Sequence, residues 1–315
     1  MHAGLYLTIP GYDGSQVNPP TLAMCNFISE TDVLRQIATR HGFPGIDWTF
    51  RLEDLPRNPT EESRLLRSIS SLDDFEIRYH CAFKGIDLGD EDDGKADDAM
   101  EIFRKVCRII SKLDGRFMTV HLGLGRKSPE GLSWDRTLDG LADLVNHAAS
   151  LGICLCLENL ASGWSSRPEL FEKLIRKTGA GITLDIGHAR VCRSVQVQMY
   201  ELEDFVLPHP RNLFNAHIYH EETNDRHVPP QCLDDIGNRL NLLSSLQCEW
   251  WVLELRQEED LLSTLKIVQE YLEKGYDAIF QDYSPYVDSM ENPNQQWLAT
   301  GRQSPPTDSS SNGSN

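Results

Sequence analysis

Positive charge is scarce in this chain. Its 315 residues include 48 Asp and Glu but only 30 Lys and Arg, which gives a formal net charge of -18 at pH 7. Affinity for nucleic acid comes mostly from Lys and Arg that neutralise phosphates, and the sequence shows no basic stripe with interleaved aromatic residues. The composition therefore disfavours a nucleic-acid partner. The densest acidic stretch, residues 87–101, is predicted to be a solvated loop that leads into a helix.

Several other features are missing. The eight cysteines form no C-x-x-C pair, and no apolar run approaches the length of a membrane span. The residues after Met1 lack the basic start and the long apolar run of a signal peptide. We therefore expect a cytoplasmic protein with reduced thiols and no membrane partner.

Nucleotide-binding glycine motifs are also absent, since the chain has neither a G-x-G-x-x-G segment nor a P-loop. It contains instead eight units in which a short apolar run precedes an amphipathic stretch. The predicted strands cover residues 4–9, 45–50, 75–83, 117–123, 153–159, 181–187, 213–219 and 250–256. Several of the amphipathic stretches end in glycine shortly before the next strand, as helices do. This alternation predicts an α/β fold with parallel strands and right-handed crossovers.

Eight such units could form an open doubly wound sheet or a closed barrel. Polar residues follow six of the predicted strands, and a barrel brings them together at one mouth, whereas an open sheet spreads them along an edge. We therefore predict a single (β/α)8 TIM barrel over residues 1–286. Residues 287–315 are polar and rich in Ser, Asn, Pro and Gly, so they are predicted to form a disordered tail.

Histidines and acids occupy the ends of the predicted strands. The apolar runs IRYH, MTVH, CLCLE, GITLD, FNAH and WVLE each finish in such a residue. Side chains alternate along a strand, so His121 lies on the same face as Thr119 and Asp185 on the same face as Thr183. Aliphatic residues between them, such as Val120 and Leu184, then face outward. Imidazoles mixed with carboxylates suit divalent ions such as Zn, Mn, Fe or Co. The pattern predicts a metal centre in the barrel mouth, and we expect Zn or Mn, with one to three ions per chain.

Four segments carry a family resemblance: LENLASG, LDIGHAR, AHIYHEETNDRH and LELRQEED. With them the chain resembles the xylose isomerase-like barrel superfamily, which groups sugar isomerases and epimerases with the endonuclease IV type of apurinic endonuclease. The resemblance runs roughly from the third predicted strand to the last helix. In the isomerases and epimerases it implies a single metal, whose ligands here would be Glu158, Asp185, His217 and Glu254.

The endonuclease-like members have additional ligands, and this chain has a matching residue at each of those places. These residues are His80, His121, His188, Asp225 and His227. The resemblance then implies three metals. Glu158 would bridge the first two, with His80 and His121 on one ion and Asp185, His217 and Glu254 on the other. The third ion would be held by His188, Asp225 and His227.

Two points limit this resemblance. The polar loop that contains Asp225 and His227 could instead be a solvated turn. The endonuclease pattern also has an aromatic hydroxyl three residues after the first histidine, where this chain has Phe83. We therefore carry over the metal site and not the DNA substrate.

The predicted function is that of a metal-dependent enzyme acting on a small phosphorylated or polyhydroxylated molecule. Phosphoester hydrolysis comes first, because clustered ions can activate a water and stabilise the leaving alkoxide. Sugar isomerisation or epimerisation is the alternative, since it needs only one metal and two carboxylates that move a proton. The predicted catalytic residues are Glu158, Glu254 and His188. A non-catalytic binding subunit is the third possibility.

Three residues near strand ends are candidate substrate contacts: Arg226, Trp164 and Arg190. For Trp164 a packing role is an equal alternative. The family resemblance also leads us to expect a homodimer.

Overall fold

The computed structural model describes residues 19–274, and its centre is a closed barrel of eight parallel strands. The strands are β1 Thr21–Cys25, β2 Gly45–Phe50, β3 Glu76–Cys81, β4 Phe117–Val120, β5 Cys154–Glu158, β6 Gly181–Asp185, β7 Leu213–Ile218 and β10 Trp250–Leu253, with a separate pair, β8 Glu221–Thr223 and β9 Arg226–Val228. Around the barrel the order is β1-β10-β7-β6-β5-β4-β3-β2. The predicted (β/α)8 TIM barrel is confirmed.

Helices alternate with the barrel strands. They are α1 Thr31–His41, α2 Pro59–Ser70, α3 Asp93–Lys112, α4 Trp134–Ser150, α5 Pro168–Thr178, α6 Ile186–Val191, α7 Arg193–Gln196, α8 Gly237–Ser245 and α9 Glu258–Glu273. Short 3-10 helices occupy Leu52–Asp54, Trp164–Ser166, Leu202–Phe205, Pro210–Asn212 and Leu233–Asp235. Between residues 19 and 274 no helix is both long and apolar enough to cross a membrane.

The first barrel strand differs from the prediction. The predicted strand 4–9 lies outside the described residues, and the place between β10 and β2 is taken by Thr21–Cys25. This strand is short and directly follows Pro19 and Pro20, which hide its signal. The predicted domain limits, 1–286 and 287–315, and the predicted homodimer stay predictions.

Part of the acidic stretch at residues 87–101 has a structural role. Asp87 and Asp90 accept hydrogen bonds from Arg126, at 2.6 Å and 2.9 Å, and so tie the loop after β3 to the loop after β4. Asp92 caps α3, because its side chain accepts a hydrogen bond from the backbone N–H of Lys95 at 3.2 Å. The prediction of a wholly solvated loop was therefore wrong for Asp87 and Asp90, both of which are buried.

The predicted alternation of strand faces is confirmed. Val120, Leu157, Leu184 and Leu253 are fully buried in the core between barrel and helices. Inside the barrel, Thr119 and Thr183 join through their hydroxyls at 2.8 Å, and the Asn215 amide donates to Thr183 at 3.1 Å. These polar side chains form a layer directly below the strand ends. The residues two positions later, His121, Asp185 and His217, lie on the same face and therefore point into the mouth.

Candidate metal centre

All eight parallel strands end at the barrel mouth, and side chains at or next to the ends of six of them meet there. Three overlapping sets of residues each present ligand atoms that lie within 4.8 Å of one another, and two of these sets share Glu158. The first set is His80, His121 and Glu158, and the second is Glu158, Asp185, His217 and Glu254. All six residues are buried, and Asp185 and His217 are fully inaccessible to solvent. The predicted convergence of strand ends is therefore present in the fold.

The first set has the spacing of a metal site. The Nε2 atoms of His80 and His121 lie 3.3 Å apart, and Glu158 Oε2 lies 3.5 Å from the first and 3.1 Å from the second. Ligand atoms at about 2.1 Å around a tetrahedral ion are separated by about 3.4 Å. His121 Nδ1 lies 3.2 Å from the carbonyl oxygen of Cys81, so an N–H there leaves Nε2 free to bind an ion.

The second set is centred on His217. Its Nδ1 atom lies 3.2 Å from Glu158 Oε2, 3.0 Å from Glu254 Oε2 and 3.9 Å from Asp185 Oδ2. Three carboxylates around one imidazole nitrogen give the oxygen-rich site that suits a hard or borderline divalent ion. Because Glu158 belongs to both sets, two ions bound there would be neighbours.

Unsatisfied polar atoms support this interpretation. Both carboxylate oxygens of Glu158 and both ring nitrogens of His217 are buried without a hydrogen-bond partner among the described residues. Burial of charged groups without partners is costly, and a divalent cation offsets that cost. The donor set thus fits a metal centre in its chemistry as well as in its spacing.

Electrostatic coupling among these residues is strong when no ion is bound. Burial alone would raise the pKa of Glu158, yet the His217 and His121 imidazoles hold it well below its ordinary value. Burial alone would lower the pKa of His217, but Glu158 and Glu254 raise it well above its ordinary value. A divalent ion would replace the protons on these imidazoles, because metal ligands must be deprotonated.

Two predicted residues form an outer group above Asp185. His188 presents Nδ1 to the carbonyl oxygen of Asn159 at 3.1 Å and Nε2 to Glu222 Oε2 at 3.2 Å. His227 directs Nδ1 to the carbonyl oxygen of Glu254 at 2.6 Å, and its ring stacks on Tyr219 with centroids 3.9 Å apart. Glu222 was missed in the sequence analysis.

The third predicted member of that group lies elsewhere. Asn224 and Asp225 have φ angles of 51° and 57° and form the two-residue turn that joins β8 to β9. Asp225 is therefore at the hairpin tip, with a side chain 85% exposed, and its carboxylate lies 3.9 Å from Lys84 Nζ. The structure does not bring Asp225 to His188 and His227, since the turn directs it away from them.

Hairpin pairing explains which side chains face the centre. Glu222 is paired with His227 across the hairpin, and Thr223 is paired with Arg226. Cross-strand partners share a face and successive residues alternate, so Arg226 projects from the face opposite Glu222 and His227. The same alternation, applied to EETNDRH with a turn at Asn224 and Asp225, could have found Glu222 from the sequence.

The other two predicted substrate contacts have protein partners. Arg190 donates from Nε to Glu221 at 3.2 Å, and its side chain is 47% exposed. Trp164 packs edge-on against Trp134, with ring centroids 5.1 Å apart. The packing alternative for Trp164 therefore has direct structural support.

Close packing fixes the position of Asp185. Tyr219 donates its hydroxyl to Asp185 Oδ2 at 2.9 Å. Gly187 allows this contact, because a Cβ atom at that position would lie 2.1 Å from Cε2 of Tyr219. Asn159 adds a reciprocal pair of hydrogen bonds with the backbone of Asp185, at 2.9 Å and 2.8 Å.

Comparison with known proteins gives a consistent family. Residues 35–274 match the sequence model of a family described as xylose isomerase-like TIM barrel. An uncharacterized protein of Methanocaldococcus jannaschii is 28% identical over 166 residues, which are 52% of this chain and 71% of that protein.

Solved structures with a similar fold include both classes named by the resemblance. A D-tagatose 3-epimerase-like protein has a TM-score of 0.62 and 19% identity, over 81% of this chain and 97% of its own. The IOLI protein with a binding zinc atom has a TM-score of 0.62 and 15% identity, over 81% and 98%. Endonuclease IV from Thermus thermophilus has a TM-score of 0.59 and 18% identity, over 81% and 100%. At these identities the likeness concerns the fold.

Proposed function

Because the chain belongs to the xylose isomerase-like TIM barrel family, we propose that it is a divalent-metal-dependent enzyme, and specifically a hydrolase of small phosphoesters. The metal ligands in this proposal are His80, His121, Glu158, Asp185, His217 and Glu254. Zinc is the first candidate ion, since a structure of similar fold is described with a zinc atom, and manganese is the second.

One observation carries the choice of hydrolysis. His80 and His121 bring their Nε2 atoms to 3.3 Å from each other beside Glu158, next to a carboxylate-rich set that is already sufficient for one ion. An enzyme that isomerises a sugar with a single ion has no need of the first set, which contains His80 and His121. Two adjacent ions suit phosphoester hydrolysis, where they neutralise the phosphoryl oxygens and lower the pKa of a water.

The residues of the chain have distinct tasks in this proposal. Glu158 belongs to both ligand sets and Glu254 to the second, and the two carboxylates would neutralise part of the charge of the bound ions. His188 lies above them, and in this proposal a phosphoryl oxygen or the leaving oxygen of the bound substrate replaces Glu222 as the acceptor of its Nε2–H. Glu222 accepts from the same nitrogen at 3.2 Å and fixes the orientation of the ring.

The barrel mouth favours a small substrate. The β8–β9 hairpin follows β7, and its tip residue Asp225 reaches Lys84 in the loop after β3. Strands β7 and β3 are four positions apart in the eight-stranded order, so the hairpin crosses the whole mouth. A duplex could not approach the centre without displacing this hairpin, and the net charge of -18 opposes a nucleic acid as well.

Arg190, at the base of the hairpin, is our candidate for contact with an anionic substrate.

A sugar isomerase or epimerase is the second candidate function. Glu158 and Glu254 flank His217 at 3.2 Å and 3.0 Å, which places two carboxylates around one potential ion position. Such a pair can remove and return a proton on either side of a bound sugar. In that case His188 would hold the substrate, and His80 and His121 would contact it rather than a second ion.

The test is an activity comparison on the Zn²⁺- and Mn²⁺-loaded protein. We expect hydrolysis of bis(p-nitrophenyl) phosphate or of small phosphomonoesters, abolished by chelation and strongly reduced in His121→Ala. A panel of ketoses and ketose phosphates, followed by loss of deuterium label next to the carbonyl, tests the second function. Isomerisation that persists in His121→Ala, without phosphoester hydrolysis, would overturn the first proposal.

A further inference from the structure

Asp47 is a buried carboxylate outside the two ligand sets that share Glu158, and it forms the third set with His80 and His217. It lies on β2, inside the barrel, and its side chain is only 3% exposed. Its Oδ2 atom has no hydrogen-bond partner among the described residues. A buried anion in this condition needs a nearby donor or cation.

The nearest arginine on the neighbouring strand does not serve that purpose. Arg78 is the register partner of Asp47. Its guanidinium turns towards the other end of the barrel, where it donates to the Phe214 carbonyl oxygen at 2.8 Å and to Asn215 at 2.6 Å. Within residues 19–274 the one ion pair of Asp47 is with His80, whose Nδ1 lies 3.6 Å from Oδ2.

Five histidines line the mouth, and three of them have a backbone acceptor for Nδ1. The acceptors of His121, His188 and His227 are the carbonyl oxygens of Cys81, Asn159 and Glu254. The remaining two, His80 and His217, have no such bond, and His80 Nδ1 and His217 Nε2 are buried without a hydrogen-bond partner among the described residues. Both histidines have a ring nitrogen within 4.8 Å of the Asp47 carboxylate.

We propose that Asp47 is the positioning residue for the metal centre, a single carboxylate that orients His80 and His217 from behind. An Nδ1–H of His80 donated to Asp47 leaves the Nε2 lone pair for the ion shared with His121. His217 has a ring nitrogen within 4.8 Å of the same carboxylate, and an Nε2–H directed towards it would leave Nδ1 for the ion shared with Glu254. Carboxylate partners of this kind fix the ring tautomer and make the ligand more basic. The inference rests on the proposed metal-dependent function.

The test is Asp47→Asn, with the Zn²⁺ dissociation constant measured by competition with a chelating dye. Loss of an outer partner of a metal ligand weakens metal binding by about 10- to 100-fold, and we expect a change in this range. The metal-free variant should unfold at the same or a higher urea concentration than the wild type, because the substitution removes a buried carboxylate whose Oδ2 atom has no hydrogen-bond partner among the described residues. A purely structural role would produce the opposite pair of results, lower stability of the metal-free protein and unchanged Zn²⁺ affinity.

Asp87→Asn is the matched control. Asp87 is also a buried aspartate, but it pairs with Arg126 in a loop. We expect this substitution to lower stability and to leave the Zn²⁺ affinity unchanged. If Asp47→Asn does not fold, the ¹⁵N chemical shifts of the histidine ring nitrogens in the Zn²⁺-loaded wild type test the same point. We expect His80 to be protonated on Nδ1 and bound to the metal through Nε2. The reverse assignment would overturn the proposal.

The two proposals fail in different ways. A wild-type protein that binds no Zn²⁺ would contradict the proposed function. A wild type that binds Zn²⁺ while Asp47→Asn binds it equally tightly would contradict the positioning role of Asp47 alone.

Discussion

Glu222 Oε2 lies 3.2 Å from His188 Nε2, and this contact joins the hairpin over the mouth to the short helix that follows β6. The Glu222 side chain is 21% exposed, so the contact sits at the boundary between the buried metal sets and solvent. His188 is thereby held between Glu222 and the Asn159 carbonyl oxygen. This arrangement lets one histidine face a substrate in a fixed orientation.

Glu222→Gln tests whether that contact matters for catalysis. Hydrogen bonds to charged groups contribute about 1.5 to 3 kcal/mol, so we expect kcat/KM for the phosphoester substrate to fall about 10- to 100-fold. Asp225→Asn is the matched control on the same hairpin, since Asp225 is 85% exposed, and it should leave both kcat/KM and metal content unchanged. Loss of one metal equivalent in Asp225→Asn would instead restore the three-metal site implied by the family resemblance.

His121→Ala should remove one metal and leave the other. His121 belongs to the first ligand set only, whereas Glu158, Asp185, His217 and Glu254 form the second set without it. We expect the Zn²⁺ content of the purified variant to fall from two equivalents per chain to one, as measured by elemental analysis. An unchanged metal content would mean that His121 is not a ligand.

The metal-free protein should lose stability as the pH rises above about 6.5. Burial alone would lower the pKa of His217 in the folded chain. The neighbouring carboxylates of Glu158 and Glu254 outweigh this effect and raise the pKa well above its ordinary value of 6.5. The folded state therefore binds this proton more tightly than the unfolded state. The resulting stability is complete below about pH 6.5 and is lost as the pH rises through the raised pKa.

Glu158 makes the stability of the metal-free protein depend on pH in the opposite direction. Its pKa is lowered well below the ordinary 4.5 by His217 and His121 against the effect of burial, so its contribution is present above about pH 4.5 and is lost as the pH falls further. Urea unfolding in the presence of chelator should thus show greatest stability between these limits. With Zn²⁺ bound the trend above pH 6.5 should reverse, because deprotonated imidazoles bind the ion better. Parallel pH profiles with and without Zn²⁺ would contradict this account.

Gly187→Ala should destabilise the fold and loosen the centre. The added Cβ would lie 2.1 Å from the Tyr219 ring, which donates to Asp185 and stacks on His227. Overpacking of this kind costs about 1 to 3 kcal/mol, which urea unfolding measures directly. Gly237→Ala is the control, because its nearest neighbour would be 3.7 Å away and the residue begins α8. Equal stability of the two variants would show that Tyr219 can move freely.

The sequence was a good guide where a pattern is local. Seven barrel strands were predicted from alternation within short segments. The same alternation predicted that the ligand residues face inward: His121 lies on the same face as Thr119, and Asp185 on the same face as Thr183, and these two threonines meet inside the barrel. The strand Thr21–Cys25 was missed because two prolines precede it and it is only five residues long. Its membership in the barrel depends on pairing with β10, more than 200 residues later.

The missed site residues have a similar explanation. Asp47 lies within the predicted strand 45–50, but its proposed role depends on two histidines from β3 and β7, each with one ring nitrogen that has no hydrogen-bond partner among the described residues. Glu222 became a candidate only once Asn224 and Asp225 were known to form the hairpin turn. Conversely, Asp225 matches the family pattern in sequence, yet the turn holds it at the tip. Spacing along the chain identifies residue types, while the three-dimensional pairing decides which of them meet.

Two adjacent divalent ions in this barrel mouth would be detected by native mass spectrometry of protein purified without chelator. We expect a mass corresponding to two Zn²⁺ or Mn²⁺ ions per chain, both lost on incubation with chelator and regained on addition of the metal. A single ion per chain at saturating metal, or none, would contradict this expectation.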